Sequence, residues 1–258
     1  MFLDHFFEDV PTATGCIRCR DAQPLAIPLQ MAFQPIVDAR DRSVFAYEAL
    51  VRGPGGEPAG WVLERVAADQ LYTFDQTCRV LAIDTAQRLG MDTRLSINFL
   101  PNAVYEPAAC IRLTLAAAAK VGFPVDRLMF ELAESQKIQD PAHALGILRD
   151  YAQRGFVTAI DDFGAGYAGL ALLAEFQPDV VKLDMGLVRG IDTHAARATI
   201  VAGMVSTCRA LGCRVVAEGV ETASEYHRLR ELGIDLFQGY LFARPQLGAL
   251  AEPVFPAD

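Results

Sequence analysis

Seven apolar runs of this 258-residue chain end in a side chain able to bind a metal ion or a phosphate. They deliver Glu48, Asn98, Glu131, the pair Asp161-Asp162, Lys182, Glu218 and Gln238, at roughly the spacing of one strand–helix unit. A carboxylate at the end of an apolar strand is costly to bury unless something there uses it. A single such acid reads equally well as half of a structural ion pair. Cations at corresponding strand ends are scarce, however, and only Lys182 and Arg52 qualify. Five carboxylates around one mouth cannot all stay ionised without counter-charge. Carboxylate oxygens with one amide suit Mg²⁺ or Mn²⁺ and not a thiolate-and-imidazole zinc site. Two hard cations about 3.5–4 Å apart are the usual apparatus for hydrolysing a phosphodiester. Adjacent Asp161 and Asp162 would point to opposite faces of a regular strand. The Gly164-Ala165-Gly166 turn is therefore expected to bend the backbone so that both reach a metal pair.

The elements that must position these side chains alternate along the chain. Met31–Val37 and Ser43–Val51 read as two strands joined by a short polar turn, an antiparallel start. Residues 61–89 give one or two helices with polar outer faces, stopping at Gly90. Strands then fall at Arg94–Leu100, Leu128–Leu132, Phe156–Ile160, Val180–Leu183, Arg214–Ala217 and Leu236–Phe242. Helices lie between them, over about Pro107–Val121, from Asp140-Pro141 to Gly155, briefly after Ile160, over His194–Leu211 and over Thr222–Leu232. Such alternation means parallel strands with helical crossovers. An open sheet gathers ligand residues only at its switch point, whereas a closed barrel brings every strand's C-terminal end to one mouth. All six of these later strands contribute, so a (β/α)8 TIM-like barrel over residues 29–258 is expected, modified by its antiparallel first strand and preceded by a lead-in over 1–28.

Composition narrows the class. The chain is 52% hydrophobic and 21% charged, enough apolar residue for a sizeable core. Its net charge of −9 argues against a general binder of nucleic-acid polymers or anionic membranes, though not against a small phosphate ester whose charge bound cations offset. The start lacks a signal-peptide pattern and no apolar run approaches a membrane span, so a soluble, cytoplasmic protein is expected. Six cysteines in a chain of this size do not form a secreted disulfide framework. Cys16-Ile-Arg-Cys19 supplies half of a zinc site, with His5 a weak third ligand, and reads more simply as two surface thiols. Gly164-Ala165-Gly166-Tyr167-Ala168-Gly169 satisfies the dinucleotide fingerprint, with Asp184 downstream, but that reading sets Asp161 and Asp162 beside a pyrophosphate and leaves the other acids without use. Asp162-Phe163-Gly164 mimics the kinase triplet without the other kinase motifs.

The motifs resemble the EAL family of cyclic-di-GMP phosphodiesterases over about residues 30–246. The resemblance is carried by Phe33-Gln34-Pro35-Ile36-Val37-Asp38, Glu48-Ala49-Leu50, Ile97-Asn98, Phe130-Glu131-Leu132-Ala133-Glu134-Ser135, Ile160-Asp161-Asp162-Phe163-Gly164, Val181-Lys182-Leu183-Asp184, Val216-Ala217-Glu218-Gly219-Val220-Glu221-Thr222 and Phe237-Gln238-Gly239-Tyr240. It implies hydrolysis of one 3′,5′-phosphodiester bond of cyclic di-GMP to linear pGpG, with a catalytically silent receptor for the same nucleotide as the alternative. It further implies two Mg²⁺ or Mn²⁺ ions, one held by Glu48, Asn98, Glu131 and Asp161, the other by Asp161 and Asp162 with Glu218 as ligand or base. Lys182 and Gln238 would serve the reacting phosphate and water. Gln34, Leu50, Arg52, Asp184, Glu221 and Gln238 would contact substrate, Glu221 also bracing the loop after Asp161. A homodimer through the face near that loop is implied as well, in a chain that is either a standalone enzyme or a piece of a longer protein. Two departures from the family pattern, Ala133 for threonine and Gly-Ala-Gly-Tyr-Ala-Gly after Asp162, remove hydroxyls near that loop without touching a catalytic position.

Overall fold

The computed structural model describes residues 25–133, 140–166 and 169–256; the expectations for the lead-in with Cys16 and Cys19, and for Glu134, Ser135, Tyr167 and Ala168, lie outside them. Within them β1 (Gln30–Asp38) and β2 (Ser43–Arg52) form the antiparallel start, and β3 (Arg94–Asn98), β4 (Leu128–Ala133), β5 (Val157–Phe163), β6 (Val180–Leu183), β7 (Arg214–Ala217) and β8 (Leu236–Phe237) follow in parallel order. Because β1 pairs with both β2 and β8, the sheet closes into an eight-stranded barrel. The crossovers are α1 (Ala59–Leu63) and α2 (Leu71–Arg88), then α3 (Pro107–Val121), α4 (Pro141–Gln153), α5 (Gly169–Glu175), the single turn α6 (Met185–Val188), α7 (Ala195–Ala210) and α8 (Ala223–Glu231). Local chemistry sets their starts: Asp140 and Thr222 cap α4 and α8 with their side chains, and Pro107 and Pro141 occupy first-turn positions whose N–H would go unbonded anyway. No helix among the described residues is long and apolar enough to cross a membrane.

Side-chain alternation sorts the barrel interior into layers. Ile36, Ala46, Met129, Ala159, Val180, Val216 and Leu236 pack with Phe45 as an apolar plug. The residue two positions nearer the mouth is in each case Gln34, Glu48, Glu131, Asp161, Lys182, Glu218 or Gln238. One period of two thus lifts every one of them onto a single tier above a dry floor.

Three features depart from the sequence expectation. The last strand stops at Phe237 instead of Phe242, because the chain then crosses Val220 so closely that a Cβ on Gly239 would lie 2.0 Å from the Val220 carbonyl oxygen. The tail returns as β9 (Gln246–Leu247), which pairs with Ala32 along the upper edge of β1, and Leu250 bridges to Phe33. The polar outer face expected of the helices over 61–89 holds a fully buried ion pair on α2: Arg79 Nε lies 2.8 Å from Asp75 Oδ2. The same guanidinium donates to the Tyr151 hydroxyl at 2.7 Å and sits among the rings of Phe99, Phe130 and Tyr151, while Asp75 accepts from the Leu100 N–H at 2.9 Å. Asp75 thereby tethers the loop that follows Asn98. Arg79→Met, which strands the Asp75 carboxylate, is expected to cost about 3–5 kcal/mol, whereas Asp75→Asn with Arg79→Met costs less. Denaturant unfolding checks both, and equal losses would show that the pairing carries no weight.

Candidate active site

Lys182 Nζ, fully buried on β6, lies 2.7 Å from Glu131, 2.8 Å from Glu218, 2.9 Å from Asp161 and 3.4 Å from Glu48. Four strands besides its own send a carboxylate to this ammonium because each acid occupies the same tier of the interior. Burial alone would push the ammonium toward deprotonation, but Asp161, Glu131, Glu218 and Glu48 outweigh it and raise its pKa well above the ordinary value. Desolvation pushes the Glu131 carboxyl up to about 8, Lys182 opposing and the neighbouring Glu48 and Asp161 adding to it. Glu218 is raised well above the usual range by the same burial and by Asp161 beside it. The cluster therefore holds more acid than one lysine can keep ionised.

Glu48 is gripped from three sides. Asn98 Nδ2 donates to its Oε1 at 2.8 Å, which leaves the Asn98 carbonyl oxygen as the available ligand atom. Gln238 Nε2 donates to Glu48 Oε2 at 2.7 Å and reaches Gln34 Oε1 at 3.5 Å, and Gln34 in turn donates to the Ala243 carbonyl at 3.1 Å. The Gln238 Oε1 atom is buried and has no hydrogen-bond partner among the described residues.

Asp161 and Asp162 both bring a carboxylate oxygen to the cluster, but the bend lies at Asp162, two residues before the expected Gly164. Asp162 itself adopts φ 54°, inside β5, where the register shifts between Ile160 and Phe163. This is a bulge, and aspartate is among the few non-glycine residues that take the left-handed conformation readily. Gly164 (φ 100°) serves a separate need: a Cβ there would meet Leu187 Cδ1 of α6 at 2.5 Å.

Two groups of three acids result, Glu48 with Glu131 and Asp161, and Asp161 with Asp162 and Glu218, each offering oxygens that lie within 4.8 Å of one another. Asp161 belongs to both. Its buried Oδ1 is the atom that lies 2.9 Å from the Lys182 ammonium, so in this arrangement the lysine holds the carboxylate the two groups share. An all-oxygen donor set with a shared carboxylate fits a pair of hard cations.

The remaining expected contacts sit outside this cluster. Arg52, half-buried at the end of β2, donates to the Val51 carbonyl at 2.8 Å, and Leu50 is half-buried opposite Ala32. Asp184 caps α6 through the Gly186 N–H at 2.8 Å. Glu221 forms a two-point pair with Arg189 at 2.6 and 2.9 Å, so among the described residues it braces the segment after α6. Neither Asp184 nor Glu221 bonds to the carboxylate cluster among the described residues. Sequence reasoning missed Ser96, whose buried hydroxyl donates to Glu131 Oε1, because a lone serine in a strand carries no charge signal.

Comparison with known proteins places this architecture. A family profile described as "EAL domain" matches residues 23–245. The blue light- and temperature-regulated antirepressor BluF of Escherichia coli K12 is 34% identical over 227 residues, covering 87% of this chain and 56% of that protein. The cyclic di-GMP phosphodiesterase RocR of Pseudomonas aeruginosa is 36% identical over 158 residues, 61% of this chain and 40% of the relative. This chain thus spans about half, or less, of the length of these curated relatives. Among solved structures, a standalone versatile EAL protein from Vibrio cholerae O395 in its c-di-GMP-bound form superposes with TM-score 0.87 at 47% identity, over 90% of this chain and 98% of that one. Klebsiella pneumoniae BlrP1, in a manganese and cy-diGMP complex, gives TM-score 0.83 at 38% identity, over 90% and 60%.

Proposed function

The chain belongs to the EAL domain family, and from that membership we propose that it hydrolyses one 3′,5′-phosphodiester bond of cyclic di-GMP to linear pGpG with the help of two Mg²⁺ or Mn²⁺ ions. The observation that carries the reading is the pair of acid triads sharing Asp161 around Lys182. Five ionised carboxylates facing one ammonium leave four negative charges uncompensated, and two divalent cations cancel them. A c-di-GMP-bound relative that superposes over nearly its whole length, and the manganese complex of BlrP1, support the substrate and the class of ion.

Glu48, Asn98, Glu131 and Asp161 would hold one ion, and Asp161, Asp162 and Glu218 the other. Bound there, divalent cations supply an acidified water and charge neutralisation on the phosphate. Glu218, on the partly open side of the cluster, receives the proton of the attacking water on its carboxylate. Lys182 fixes the spacing of four acids and adds a positive charge beneath the phosphate, where negative charge concentrates in the transition state. Gln238, held on Glu48 and Gln34, presents its unbonded Oε1 to a donor of the bound nucleotide or of the water. Gln34, Leu50 and Arg52 contribute the contacts along the β1–β2 side of the mouth, and Asp184 and Glu221 those on the α6 side.

The test is direct: the purified chain incubated with cyclic di-GMP and millimolar Mg²⁺ or Mn²⁺ yields pGpG by chromatography, and chelation stops it. Tight nucleotide binding with no product under those conditions would replace hydrolysis with the receptor reading. The exposed Leu170 of α5 and Met185 of α6, on the two helices that follow β5 and β6, support self-association through the face near the loop after Asp161. Sedimentation showing monomer alone at micromolar concentration would remove this part of the proposal.

A further inference from the structure

Ser96 breaks the layering described above. It stands on β3 two residues before Asn98, the place a plug residue holds on the other strands, in register with Met129 of β4 on one side and with Glu48 of β2 on the other. It is fully buried. A buried hydroxyl is unfavourable unless its hydrogen bonds are made, and β3 could place an apolar side chain there as β4 does with Met129. The Ser96 hydroxyl points upward instead and donates to Glu131 Oε1. The other oxygen of the same carboxylate, Oε2, takes the Lys182 ammonium that also contacts Glu48, Asp161 and Glu218. Glu131 is itself completely buried, so no water competes for Oε1 from outside.

We propose that Ser96 is a positioning residue for Glu131: its hydroxyl anchors Oε1 in the lower layer and so holds Oε2 as the oxygen presented to a divalent cation. The inference rests on the two-cation reading of the site. Without the hydroxyl, the carboxylate is free to rotate about its terminal torsion and loses one of its two fixed partners. Groups that orient a metal ligand without touching the metal are worth about 10–100-fold in affinity.

The experiment measures Mn²⁺ binding to the metal-free protein by calorimetry, with no substrate present, for the natural protein and for Ser96→Ala, Ser96→Thr and Ser96→Val. Threonine and valine have nearly the same shape and differ in the hydroxyl, so any packing penalty is common to both and cancels in their comparison. Ser96→Ala and Ser96→Val are expected to bind Mn²⁺ about 10–100-fold more weakly than the natural protein, with Ser96→Thr at least about tenfold tighter than Ser96→Val. In turnover, Ser96→Ala needs correspondingly more Mn²⁺ for half-saturation, while kcat at saturating Mn²⁺ recovers most of its natural value. Equal Mn²⁺ affinity of the threonine and valine variants, or an alanine variant within about twofold of the natural protein, overturns the role of Ser96. If the natural protein binds no Mn²⁺, the two-cation reading falls and this inference with it; if it binds Mn²⁺ and the variants do not differ, Ser96 alone is excluded.

Discussion

Asp161→Ala is expected to lower hydrolysis of cyclic di-GMP by at least about 10³-fold and to remove Mn²⁺ from both positions, not one. The asymmetry follows from geometry. Asp161 is the one residue common to the two acid triads, whereas Glu48 and Glu131 serve the first and Asp162 and Glu218 the second. Glu48→Ala and Glu218→Ala are also expected to abolish turnover, but calorimetry should still find one tight site in each. Removing Asp161 leaves Glu48 and Glu131 gripped by Asn98, Gln238, Ser96 and Lys182, so the barrel stays folded and the loss is chemical. Robust turnover by Asp161→Ala in Mn²⁺ would sink the two-cation arrangement.

Lys182→Met carries the second large effect, and it falls on stability as well as rate. In metal-free protein this ammonium is the counter-charge shared by Glu48, Glu131, Asp161 and Glu218, and it is completely buried. Taking one partner from a buried ion cluster costs about 3–5 kcal/mol. For a chain of this size that is a fall in Tm of roughly 6–20 °C. Because a ligand that binds only the folded state stabilises it by mass action, saturating Mn²⁺ should recover much of the lost Tm in Lys182→Met, more than it raises the natural protein. Turnover at saturating metal should remain about 10²–10³-fold down, since the charge beneath the phosphate is not restored. A variant whose metal-free melting temperature matches the natural one would show that the cluster is stable through protonation alone.

Much of this was legible because strands obey a period of two. Each of Glu48, Glu131, Asp161, Lys182 and Glu218 follows an apolar plug residue by two positions, so an acid or lysine in a β-branched run already declares the face it shares. The antiparallel start and the barrel closure follow from the same pattern and the order of crossovers. What was illegible involved signals that mean something else locally. Asp75 and Arg79 stand four apart on a helix, the spacing of a solvent-exposed pair, and nothing in α2 announces that α3 and α4 cover them. In sequence the bend at Asp162 reads as belonging to the glycines that follow, since an αL aspartate leaves no mark there. The early end of β8 depends on a backbone crossing at Val220, a contact between segments nineteen residues apart that periodicity cannot report.

The short pairing of β1 with β8 has a consequence for how the ends of the chain communicate with the mouth. Val37 with Phe237 and Asp38 with Leu236 zip the first and last staves together at the base. Higher up the seam is stitched by amide side chains, Gln238 to Gln34 and Gln34 to the Ala243 carbonyl, while the tail lies along the free edge through Leu247, Gly248 and Leu250. A nucleotide that engages both glutamines becomes an extra stitch, and local opening there must first break it. Hydrogen–deuterium exchange should therefore slow at the Gly248 amide, which bonds to the Met31 carbonyl, on a segment outside the proposed nucleotide contacts. The carboxyl-terminal strap would then report, at a distance, whether the cask is full.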